Sequence, residues 1–70
     1  MKKTPEQKVM DSLVCAKMLN AGQSLVVLTK VAFGEYNFEN KEKTQRILYK
    51  MKKEYRATYF RETKVWAIWD

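Results

Sequence analysis

Seventy residues with fourteen Lys/Arg, eight Asp/Glu and no histidine fit one small domain with a formal net charge of +6. A lone cysteine excludes an internal disulfide and, without histidine, a Cys/His nucleophile pair or a histidine-containing zinc site. Carboxylates scattered among bases and only two glycines leave neither a carboxylate dyad nor a phosphate-cradling loop, so no enzyme activity, metal or cofactor is expected.

The chain begins Met1-Lys2-Lys3 like a secretory signal, but Thr4-Pro5-Glu6-Gln7 follows where an apolar stretch should be. Those four residues instead start a helix: Thr4 as cap, Pro5 in the first turn, Gln7 where a capping box wants Glu or Gln. Val9, Met10, Leu13, Val14, Ala16 and Met18 recur at helical spacing and predict a core stripe over about 4–20. Cys15 is expected as a small core residue of this helix, and Met10, Met18 and Met51 as core filler. Gly22 is expected just past the helix end in the left-handed conformation. No apolar run approaches the roughly 20 residues that span a bilayer. The expected location is therefore the cytoplasm, with the thiol reduced.

Ser24 caps a second predicted helix over about 24–33, with Leu25, Leu28, Val31 and Ala32 as its stripe and Gly34 as its stop. Glu35 to Glu39 reads as a loop. Asn40 is expected to cap a third helix over about 40–54, with Thr44, Ile47, Leu48, Met51 and Tyr55 inward. Lys41, Lys43, Gln45, Arg46, Tyr49, Lys50, Lys52 and Lys53 are expected on the wet face. The period then changes to alternation. Arg56 to Phe60 and Val65 to Trp69 predict a two-stranded hairpin over about 56–69, its turn at Arg61-Glu62-Thr63-Lys64. Trp66 and Ile68 are expected to pack on the helices.

Charge divides this chain more sharply than hydropathy does. Residues 41–64 hold nine Lys/Arg against three acids, an excess of six that equals the whole net charge. A neutral front half followed by a basic helix and a basic hairpin is the footprint of a polyanion-binding surface.

Three helices and then a hairpin give an α+β class, and the order resembles the winged helix-turn-helix superfamily from about Val9 to Trp69. The stretch Ser24 to Gly34 looks like its positioning helix, Thr44 to Met51 like the middle of its recognition helix, and Val65 to Ile68 like its returning wing strand. Two departures stand out: a long connection from Gly34 to Asn40, and a first strand reduced to the stub Gln23-Ser24. The resemblance implies double-stranded DNA as partner, with the third helix in the major groove and the hairpin as wing. Carried over, the DNA-contacting candidates are Asn40, Lys41, Lys43, Thr44, Gln45 and Arg46 at base edges. Lys50, Lys52, Lys53 and Arg56 would meet phosphates, as would Arg61 and Lys64 at the wing. A regulator of transcription, of phage or plasmid origin, is the expected kind of protein.

Alternation separates Tyr59 from Phe60 and Trp66 from Trp69, so some hairpin aromatics must face outward. Tyr36, Phe38 and Trp69 are the candidate protein interface, and self-association as a dimer is the simplest account of them. Two other functions fit the same residues: a small inhibitor docking an acidic protein, and a binder of RNA or single strands through stacked aromatics. No membrane partner is expected.

Overall fold

The computed structural model describes residues 3–69; Met1, Lys2 and Asp70, and with them the signal-like start, lie outside the described residues. Helix α1 spans Pro5–Met18, α2 Leu25–Phe33 and α3 Phe38–Lys53, followed by strands β1 (Ala57–Phe60) and β2 (Val65–Ile68). The α+β layout of three helices and an antiparallel hairpin is the expected one. Among the described residues no helix is long and apolar enough to cross a membrane.

Helix α1 starts where the capping signals lie. The Thr4 hydroxyl accepts from the Gln7 amide, and the Gln7 side chain accepts from the Thr4 amide, completing a capping box. Val9, Leu13 and Ala16 form its buried line. Val14, Cys15 and Met18 do not belong to it, contrary to the predicted stripe: all three are exposed. They sit off the i, i+4, i+7 line, and α1 packs mainly against α2 and β2.

Asn20, at φ 54°, supplies the left-handed residue expected of Gly22. The Ala21 amide reaches the Ala16 carbonyl at 2.8 Å and the Asn20 amide the Lys17 carbonyl at 2.9 Å, the two bonds of a Schellman ending. Gly22 serves close approach instead. A Cβ there would lie 2.7 Å from Val65 Cγ2 and 2.8 Å from the Trp66 carbonyl oxygen. The reason is the neighbouring Gln23, which exchanges two backbone bonds with Trp66, at 2.8 and 2.7 Å, and so adds a one-residue third strand to β2. Replacing Gly22 by alanine is expected to cost about 1–3 kcal/mol, the usual range for overpacking, read as a lower melting temperature.

Ser24 caps α2 by accepting from the Val27 amide, and Gly34 ends it at φ 85°. Leu28, Thr29 and Ala32 are its buried residues; Val31, expected inward, is exposed. Thr29 is tolerated in the core because its hydroxyl donates to the Leu25 carbonyl at 2.7 Å.

The third helix begins earlier than predicted. Asn37, not Asn40, is its cap, accepting from the Asn40 amide at 2.8 Å. The connection from α2 therefore shortens to Gly34–Asn37, and the long loop disappears into the first turn of α3. Thr44, Leu48 and Met51 are buried. Tyr55 leaves the predicted stripe because it takes φ 59° as the helix ends, with the Arg56 amide bonded back to the Met51 carbonyl. Its exposed ring meets Trp69 edge to face at 5.6 Å.

In the hairpin Ala57 pairs with Ile68, Thr58 with Ala67, Tyr59 with Trp66 and Phe60 with Val65. Period-two alternation puts Ala57, Tyr59, Trp66 and Ile68 on one side and Thr58, Phe60, Val65 and Ala67 on the other. The first side joins the core of Val9, Leu13, Leu28, Ala32, Leu48 and Met51. Lys64, at φ 57°, closes the turn in the absence of glycine or asparagine.

Candidate nucleic-acid interface

Helix α3 is amphipathic with its buried line at Thr44, Leu48 and Met51, so residues 38, 42, 45, 49 and 52 form a row on its flank at i, i+3/i+4 spacing. Gln45, Tyr49 and Lys52 of that row face the hairpin across a groove of about 480 Å³. Tyr59, Trp66, Arg61 and Lys64 form the hairpin side, and Ser24, Leu25 and Val26, the start of α2, close one end. Its floor is aromatic: the Trp66 ring lies 5.8 Å from Tyr49 at 78° and 5.1 Å from Tyr59 at 48°. Trp66 itself is only 4% exposed.

Three cations from two elements thus surround one concave surface, and among the described residues none of the three has an ion pair. Four carboxylates are engaged elsewhere, whereas Glu62, in the turn between Arg61 and Lys64, has no ion pair among the described residues. Glu6 takes Arg56 at 2.9 Å and Lys50 at 3.7 Å, Glu54 takes Arg56 at 3.2 Å, Glu39 takes Lys43 at 3.2 Å, and Asp11 takes Lys3. Hydrogen bonds to Glu54 and Glu6 push the Arg56 guanidinium further above its already high range, as the bond to Asp11 does for Lys3. Both groups stay charged at any working pH, and their own deprotonation removes stability only in strong alkali.

The predicted site residues divide accordingly. Arg46 and Lys53 are exposed on α3 and, like Arg61 and Lys64, have no carboxylate partner among the described residues. Lys41 lies over the Phe38 ring at 5.1 Å, and Lys43 is within 5.8 Å of the Phe33 ring. Thr44 is no surface residue: it is fully buried and its hydroxyl donates to the Asn40 carbonyl at 2.9 Å. The Asn40 amide group is committed as well, donating to the Glu35 carbonyl at 2.9 Å and tying the turn to α3. Lys50 and Arg56 face α1, held by Glu6 from 50 residues away in the case of Arg56. Tyr36, Phe38 and Trp69 do not form one patch. The first two flank the start of α3, whereas Trp69 packs on Tyr55 beyond its end, about 25 Å away at 1.5 Å per helical residue.

Tyr49 and the start of α2 had no place among the predicted contacts. A tyrosine among lysines looks like any wet helical position until the wing is folded beside it. No family model, curated protein or solved structure matches this chain.

The Glu6 clamp gives a measurable consequence. Glu6→Gln releases Lys50, leaves Arg56 to Glu54 alone and removes one negative charge, so the variant should elute from immobilised heparin at higher salt than the wild type. Its stability should change by no more than about 1 kcal/mol, the range for exposed ion pairs.

Proposed function

We propose that this protein binds double-stranded DNA as a small transcriptional regulator, α3 entering the major groove and the β1–β2 hairpin acting as wing. The observation that carries it is the groove between them, where among the described residues Lys52, Arg61 and Lys64 have no carboxylate partner. A strand backbone passing along that groove meets all three, while Gln45 in the groove wall and Arg46 on the exposed side of α3 can pair with adenine and guanine edges. The short turn Gly34–Asn37 supports the winged helix-turn-helix resemblance better than the longer loop expected from sequence, as does the Gln23 bridge beside β2. Such a regulator acts in the cytoplasm by occupying its site, and a phage or plasmid origin suits it.

Ring burial favours duplex over single-stranded nucleic acid. Within the groove Trp66 is buried and Tyr59 half-buried, so there only Tyr49 offers a base a face to stack on. An inhibitor docking an acidic protein surface would use the same cations, but it would lose less affinity with salt than a phosphate reader.

The test is binding of the full chain to random-sequence duplex across a salt series, with single-stranded oligonucleotide as competitor. A steep fall in affinity with salt and poor competition by the single strand support the proposal. No duplex binding even at low salt overturns it.

A further inference from the structure

The hairpin has a second side. There Phe60, Val65 and Ala67 face Asn20, Ala21 and Gly22, the segment just past α1, across a groove of about 560 Å³. The end of α1 beside that segment carries Met18 and Leu19, each 80% exposed. Phe60 in the opposite wall is 52% exposed. Large apolar side chains thus stand as knobs next to an apolar groove.

We propose that this side is where a second copy of the chain docks, Met18 and Leu19 of each copy entering the groove of the other. A two-fold contact requires one surface to be complementary to itself, and adjacent knob and groove satisfy that condition. Charge selects the same partner. Among the described residues Lys17 is the one charged residue lining this groove, against Lys52, Arg61 and Lys64 around the other. Two copies at +6 each repel more strongly when their α3–hairpin sides meet than when these sparsely charged sides do. An acidic partner or a nucleic acid has no electrostatic reason to prefer it.

The size is adequate too. A standard interface takes about 800 Å² per partner, and one side of a body 28 × 27 × 22 Å across offers roughly that. Strand alternation sends Phe60, Val65 and Ala67 away from the sheet side that carries Tyr59 and Trp66. The paired molecule therefore leaves both grooves lined by Lys52, Arg61 and Lys64 open.

The experiment is sedimentation of the full chain, without nucleic acid, over about 1–100 µM, the range in which a micromolar dissociation constant shows. The expected result is a concentration-dependent shift toward twice the 8.4 kDa monomer mass. Met18→Gln/Leu19→Gln, both positions exposed, should keep the wild-type circular dichroism and melting temperature while weakening the dimer at least about tenfold. Phe60→Glu, from the opposite wall, should do the same, and Phe38→Glu, at the far end of α3, should leave the dimer intact. A wild type that stays monomeric at about 100 µM overturns the proposal, as does a dimer that survives the Met18/Leu19 change or breaks only with Phe38→Glu. Because no nucleic acid is present, the outcome is independent of the DNA-binding test.

Discussion

Replacing Lys52, Arg61 and Lys64 together by glutamine should lower affinity for duplex DNA roughly a hundredfold and flatten its salt dependence. Each of these side chains can neutralise one phosphate and release one counterion. The slope of log K against log salt should therefore become shallower by about 2.7, at about 0.9 per phosphate. If each charged contact is worth about 1 kcal/mol net, three of them amount to about two decades in the dissociation constant. The fold should be untouched, because among the described residues none of the three forms an ion pair and all are exposed.

A control with the same change in net charge separates local contact from overall field. Lys8→Gln/Lys30→Gln/Lys50→Gln removes three cations away from the groove, and its salt slope should stay close to that of the wild type. Equal losses in the two triple variants would mean that only net charge matters, and the groove would lose its place in the mechanism. Filter binding or fluorescence anisotropy at several salt concentrations measures both.

Trp66→Ala should be the most destabilising change in the chain. The indole is 4% exposed, packs against Tyr49 and Tyr59, and its backbone carries the bridge to Gln23. Truncating a buried aromatic to alanine typically costs about 3–5 kcal/mol, and a domain of this size has only about 5 kcal/mol to lose. At about 4–8 °C per kcal/mol, the melting temperature should fall by roughly 15–30 °C. Trp66→Phe keeps a ring in the site and should lose much less. Trp69→Ala removes a half-exposed indole whose ring contact is Tyr55, and its cost should stay near 1 kcal/mol. Thermal melts by circular dichroism compare the three, and a Trp69→Ala loss as large as that of Trp66→Ala would contradict this ranking.

Much of the backbone is legible residue by residue. Thr4-Pro5-Glu6-Gln7, Ser24 and Gly34 act as the stops and starts their chemistry suggests, because capping is settled within three or four residues. The alternation after Arg56 likewise became two strands. The start of α3 was misread because Asn37 and Asn40 are both good caps, three residues apart, and only the packing of the turn chooses between them. Gly22 was assigned the wrong role for a related reason: its need is a contact with Val65 and Trp66, more than forty residues away.

The composition, the one-sided charge of residues 41–64, the element order and the α+β class follow from the amino-acid sequence alone, because each depends on residue type and short-range spacing. Which cations remain available was decided by tertiary structure. Glu6 lies close to Arg56 and Lys50 only once α1 is laid across the end of α3, and those two bases are then partnered. Arg61 and Lys64 reach Lys52 across the groove only once Trp66 packs between α3 and the hairpin. Burial works the same way. Thr44 disappears into the core while Met18 and Leu19 stay out, since a side chain is covered only where another element crosses it, and the crossing is not written in local periodicity.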